Sequence, residues 1–279
     1  MNAKKLLSLW GLKWNPFSPE LPSEALLVTA KIESFAWRVE QLVQEGGFAL
    51  ISGDSGTGKS VALRIVAERL SALRDVVVGV LQRPQSKNAD FYRELGDIFS
   101  VKLSPSNRWG GFKALRERWK AHVASARIKP VLLIDEAQEM NSEVLGELRL
   151  LASADFDAAS LLTVVLCGDG RLPERLRQAE LVPLGTRIRT RLATEPASRE
   201  ELAELLGHAL AKAGNAALMT SQLQDTLVDH CAGNYRLLMT MGGELLAHGL
   251  AREAAQLDEK FYLELFQPPR PAVKKKGRA

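Results

Sequence analysis

The chain has 279 residues, 46% hydrophobic and 25% charged, the balance of a globular protein with room for one large or two ordinary domains. No apolar run reaches the ~18 residues that a membrane helix needs, and the two cysteines and four histidines show no metal-ligand spacing. The net charge of +4 is uneven: Arg270, Lys274, Lys275, Lys276 and Arg278 put +5 into residues 270–279 and leave residues 1–269 at −1.

The first residues imitate a signal peptide only faintly. Gly11 and Lys13 interrupt the apolar part, and no small-residue cleavage site follows, so the expected location is cytoplasmic, with no membrane partner. Residues 6–17 form an aromatic-rich lead-in ending in Pro16 and Phe17, residues 18–30 read as irregular, and residues 31–44 read as a helix. Phe48, Ala49, Leu50 and Ile51 then read as a buried strand. Gly53, Asp54, Ser55, Gly56, Thr57 and Gly58 make a loop, and Lys59 and Ser60 open a helix. This order matches the phosphate-binding pattern G-x-x-x-x-G-K-[ST]. The glycines let backbone N–H groups converge on phosphate oxygens, and the helix N-terminus adds its positive end. Lys59 would reach the β- and γ-phosphates of ATP, and the Ser60 hydroxyl would hold Mg²⁺.

The β-branched run at 76–81 is a second strand, the polar segment 82–87 a loop, and residues 88–99 a helix. A basic helix is expected at 111–127, a third buried strand at 130–134, a helix at 142–152, a fourth strand at 161–167 and a short helix at 172–179. Continuous apolar strands alternating with helices indicate a parallel sheet covered on both faces. The strands stop after Pro196. A capping box at Ser198 and Glu201 starts a run of helices, with further helices expected from about residues 220, 235 and 258. The prolines at 268, 269 and 271 argue against a helix in the basic tail. Such a tail fits contact with nucleic acid or an acidic surface, and equally a solubilising end.

The third strand ends in Asp135 and Glu136, 76 residues after Lys59. An acid there holds Mg²⁺ in P-loop ATPases. Asp135 is the metal candidate and Glu136 the base for an attacking water. The same acids also suit a helix N-terminus.

These motifs, with the helical C-terminal part, resemble the AAA+ ATPases. Trp10 to Phe17 resembles the lead-in of ExeA-type ATPases, and Ile134-Asp135-Glu136-Ala137-Gln138 resembles their "IDEAQ". That group is related to the TniB, TnsC and MuB transposition regulators, and residues 80–84 are similar to the segment after the second strand of TnsC-like proteins.

The implied fold is an α/β P-loop NTPase with a parallel sheet covered by helices on both faces, followed by a small all-α lid. The implied layout is a lead-in at 1–30, the ATPase domain at 31–195, the lid at 196–267 and a basic tail at 268–279. The resemblance places Asp169 at the sensor 1 position, although a carboxylate beside a γ-phosphate is repelled. It places Arg187, Arg189 and Arg191 where arginine fingers lie, with Arg187 favoured; alternating arginines are also what an edge strand turns to solvent. It makes Arg236 the lid arginine of sensor 2, against the alternative of an exposed residue at a helix start. Trp14, Pro16 and Phe17 would lie near the adenine or pack the N-terminus onto the sheet.

The function implied is an ATPase that forms a hexameric ring or helical filament on double-stranded DNA and recruits a transposase. Two other functions stand beside it. One is an ExeA-type secretion-assembly ATPase, although the membrane helix and peptidoglycan-binding part of those proteins are not found in this sequence. The other is a helicase loader or replication ATPase. Arg83, Lys87, Lys113, Arg116 and Lys120 are the candidate DNA contacts. Glu117 lies among the last three, as on a solvated helix face.

Overall fold

The computed structural model describes residues 3–102, 107–155 and 158–266. The basic tail lies outside the described residues. The chain divides into two compact units, residues 28–196 and residues 1–27 together with 197–279.

Helix α1 (Ala3–Trp10) comes first, followed by a 3-10 turn at Ser23–Ala25. The larger unit starts with α2 (Ala30–Glu45), whose Thr29 hydroxyl accepts the Ile32 N–H as an N-cap. β1 (Gly47–Gly53), α3 (Lys59–Ser71), β2 (Val76–Leu81), α4 (Asn88–Ile98) and α5 (Arg108–Ala121) follow. After α5 comes a π-helical turn at His122–Ala126. β3 (Lys129–Ile134) leads through a 3-10 turn at Ala137–Glu139 into α6 (Ser142–Ala152). A two-stranded antiparallel hairpin, β4 (Ser153–Ala154) with β5 (Ala159–Ser160), precedes β6 (Thr163–Gly168), α7 (Arg171–Arg175), α8 (Val182–Gly185) and β7 (Ile188–Thr194).

The sheet runs β2-β3-β6-β1-β7 with every neighbouring pair parallel. Its central strands β3, β6 and β1 are buried on both faces, and the pleat sorts them. Phe48, Leu50, Leu132, Ile134, Val164 and Leu166 face a core shared with α4, α5 and α6. Ala49, Ile51, Val131, Leu133, Val165 and Cys167 face α2 and α3. The chain leaves β1 for β2 at the far side and returns to β1's neighbours later. The C-terminal ends of β3, β6 and β1 therefore stand side by side, the place where open α/β sheets bind ligands. The expected helix at 111–127 is shorter, because the ladder shifts to π at His122. The hairpin of β4 and β5 has strands too short for a period-two pattern to show.

The second unit contains α9 (Arg199–Ala213), α10 (Ser221–Cys231), α11 (Tyr235–Ala251) and α12 (Glu259–Phe266). Ser198 and Glu201 form the expected capping box, and Thr220 and Asn234 cap the next two helices. The lead-in belongs to this unit. Leu6, Trp10, Leu12 and Phe17 are buried with Leu206, Leu210, Leu238 and Leu245. Trp10 Nε1 donates to the Ala254 carbonyl at 2.8 Å, and the Lys13 N–H to Ala213 at 2.8 Å. A Cβ at Gly242 would stand 2.4 Å from the Phe17 ring, so the glycine makes the seat for it. Trp10, Trp14 and Phe17 thus belong to the core of the helical unit, with α9 and α11.

Candidate nucleotide site

The loop after β1 is built around residues that only glycine fits. A Cβ on Gly53 would lie 2.2 Å from the Thr194 carbonyl oxygen, and Gly56 and Gly58 have φ of +85° and +91°. Gly58 is also the N-cap of α3. Thr57 is buried; its hydroxyl donates to the Asp54 carbonyl at 2.8 Å and lies 2.7 Å from the Thr194 hydroxyl. Thr194 ends β7, so the edge strand braces the loop. The sequence pattern offered no signal for that contact, because Thr194 lies far away in the chain.

Lys59 is 9% exposed and donates to the Asp54 carbonyl at 2.7 Å, folded back over its own loop. The Ser60 hydroxyl donates to Asp135 Oδ2 at 3.3 Å. One hydroxyl and one carboxylate converging at a phosphate-binding loop is the donor set of a Mg²⁺ that keeps several waters and takes the rest of its oxygens from phosphates. No group of three or more His, Cys, Asp and Glu able to hold a metal occurs among the described residues. Behind Asp135, the buried Cys167 thiol is pushed well above its usual range by desolvation and then by the neighbouring carboxylate.

Glu136 is exposed and has a left-handed backbone, φ +51°, rare for a residue with a side chain. Its N–H donates to Asp135 Oδ1 at 2.9 Å. Gln138 Nε2 donates to Glu136 Oε2, and Gln138 Oε1 accepts the Asp169 N–H at 3.1 Å. Asp169 does not stand alone. Arg171 Nε donates to its carboxylate at 2.9 Å, and Arg171 Nη2 reaches both Asp169 and Glu139 at 2.7 Å. These bonds to Arg171 hold the Asp169 carboxyl below the ordinary carboxylate range. The repulsion expected of a bare carboxylate here is therefore relieved by a paired arginine. Asp54, Ser55, Asp169, Gly170, Arg171 and Glu174 line an open hollow of about 370 Å³ beside the loop.

The arginines of β7 alternate as an edge strand requires: Ile188, Thr190 and Leu192 are buried, Arg189 and Arg191 exposed. Arg189 pairs with Glu45, and Arg191 Nη2 donates to the Gly185 carbonyl at 3.1 Å. Arg187 precedes the strand, and its guanidinium donates to the Pro183 carbonyl. Arg236 is in the first turn of α11, in the other unit. Among the DNA candidates, Arg83, Lys87 and Lys120 are exposed, and Lys113 faces Glu117 at 3.8 Å. Arg116 is turned inward: Nη1 donates to the Leu150 and Leu151 carbonyls at 2.9 and 3.2 Å, and to Ser153. Of these basic residues it is the one whose charge is occupied at a helix end.

Residues 41–176 match the family model for the AAA domain. The larger unit has the α/β fold of the P-loop ATPases, and the protein is an ATPase. Its cofactor is ATP, with Mg²⁺ as the partner ion. The chain is 29% identical over 249 residues to general secretion pathway protein A of Aeromonas hydrophila, covering 87% of this chain and 44% of that protein. The chain thus spans less than half the length of that relative. Among solved structures, the fold resembles Cdc6p from Pyrobaculum aerophilum, with TM-score 0.68 and 16% identity over 86% of this chain and 67% of that one. It also resembles Drosophila ORC bound to DNA, with TM-score 0.67 and 18% identity over 94% of this chain and 65% of that one. The ATPase has the sheet order and strand-end site described above. No helix among the described residues is long and apolar enough to cross a membrane.

Proposed function

We propose that this protein is an ExeA-type assembly ATPase, in which ATP bound at residues 53–60 promotes association with further copies of the chain and hydrolysis reverses it. The observation that carries the reading is the 29% identity to a secretion-pathway protein, which runs through both units. Lys59, released from the Asp54 carbonyl, binds the β- and γ-phosphates, together with the N–H groups of residues 53–60. Ser60 and Asp135 hold Mg²⁺, which when bound neutralises phosphate charge. Glu136 accepts the proton of the attacking water. Arg187 is the arginine offered to the site of a neighbouring copy, with Arg189 the nearest alternative, and Arg236 is the sensor on the helical unit. Asp169 serves through its pair with Arg171 and not as a bare sensor.

A second reading is an ATPase acting on duplex DNA in replication. Residues 102–127 contain seven lysines and arginines and one glutamate. Trp109 there is 74% exposed and stacks on Phe112 at 5.8 Å. Basic charge of this density suits the phosphate backbone of a duplex. Recruitment of a transposase rests on the motif resemblance alone, and neither relative named above that carries a function in its name is a transposition protein.

The test measures particle mass with ATP and Mg²⁺, with and without duplex DNA, for the wild type, Lys59→Ala and Glu136→Gln. Lys59→Ala is expected to stay unassembled. Glu136→Gln is expected to assemble and to turn over about 10²–10³-fold more slowly, the usual range for losing one key catalytic group. Assembly that is independent of ATP refutes the first reading; assembly that requires DNA moves the conclusion to the second.

A further inference from the structure

Gln138 is 6% exposed and makes one hydrogen bond with each end of its amide. The orientation of that amide follows from chemistry. The Asp169 backbone N–H can only donate, so the group facing it is Oε1, and the NH₂ must face Glu136. The amide therefore offers a donor to the carboxylate. The rest of the residue is held as well: its carbonyl accepts from Arg175 Nη1, and the missing Cβ of Gly168 makes the room for Oε1, since a Cβ there would come within 2.6 Å of it. Glu136, in contrast, is exposed and rises from a left-handed backbone. Among the described residues, Gln138 is the side chain that fixes its carboxylate, and it engages Oε2.

We propose that Gln138 is a positioning residue for ATP hydrolysis: its amide holds the Glu136 carboxylate in register with the end of β6, leaving Oε1 to take the proton of the attacking water. This rests on Glu136 being the base. Because Asp169 is one residue beyond β6 and lines the hollow beside the loop, displacement of that strand end by the nucleotide is passed by one amide to the base.

The test compares Gln138→Leu, which loses both hydrogen bonds at similar volume, with Gln138→Glu, which keeps an acceptor for the Asp169 N–H and removes the donor to Glu136. Steady-state turnover and equilibrium binding of a fluorescent ATP analogue are measured on the full chain. In both variants kcat is expected to fall about 10- to 100-fold, with analogue affinity changed less than about threefold, since the contact acts on turnover and not on binding. In the Glu136→Gln background, Gln138→Leu is expected to cost nothing further, because its effect passes through the missing base. Turnover within about twofold of the wild type, or losses that multiply in the double variant, would overturn the proposal. If the leucine variant also loses analogue binding, the glutamate variant decides by the same two readouts. Normal turnover in Glu136→Gln alone would remove Glu136 as the base, which is a different failure.

Discussion

Replacing Arg116 separates a structural charge from a nucleic-acid contact. Helix α6 ends at Ala152, and its last carbonyls have no partner within the helix. Arg116 reaches three carbonyls at that end and lies 5.3 Å over the Phe112 ring. A charge-assisted hydrogen bond contributes about 1.5–3 kcal/mol, and a cation at a partly buried helix C-terminus up to about 2 kcal/mol. One guanidinium makes all these contacts, so they do not add, and about 2–3 kcal/mol is the expected loss in Arg116→Ala. In a unit of this size 1 kcal/mol moves Tm by about 2–4 °C, so the ATPase transition should fall by roughly 4–12 °C. Arg116→Lys keeps the charge without the planar fork and should recover part of it. Lys113→Ala and Lys120→Ala, on exposed positions, should stay within about 0.5 kcal/mol of wild type. The assay is urea and thermal unfolding followed by circular dichroism, with duplex binding measured on the same samples. An Arg116→Ala protein that melts with the wild type and weakens DNA binding as Lys113→Ala does would refute this account.

Gly53→Ala should abolish binding of a fluorescent ATP analogue, since the new methyl would meet the Thr194 carbonyl at 2.2 Å. Gly207→Ala acts the other way: it lies inside α9, a Cβ there meets nothing within 4 Å, and the helical unit should gain about 0.5–1 kcal/mol by denaturant titration. Burial pushes the Cys231 thiol up to about 11. At pH 8 only about one molecule in a thousand then carries the reactive thiolate, so iodoacetamide should label Cys231 after unfolding and barely before. Its labelling should rise with pH towards 11, and rapid labelling at pH 8 would show that α10 opens readily.

The nucleotide loop and the acid pair were legible because their chemistry is local. Fixed spacing, glycines at positive φ and a strand before a helix are all carried by neighbouring residues. The sheet followed from apolar runs, since a strand buried on both faces leaves that mark. What the sequence did not show depends on distant pairs. Thr194 meets Thr57 across β1, and Arg171 finds both Asp169 and Glu139. The expectation for Asp169 lacked its arginine, which stands two residues away but reaches it only through the turn into α7. Gln138 was visible as part of a motif, but its role needed the Asp169 N–H to orient it. Arg116 read as a surface charge because helical spacing does not say which way a long side chain turns.

The helical unit is assembled from the two ends of the sequence, with the whole ATPase between them. During synthesis at about 5–20 residues per second, residues 3–27 emerge roughly ten to thirty seconds before α9 exists to receive them. Leu6, Trp10, Leu12 and Phe17, all buried in the finished protein, spend that interval without their core. The lead-in therefore reaches its buried state only after the last third of the chain has been made, so the helical unit closes last.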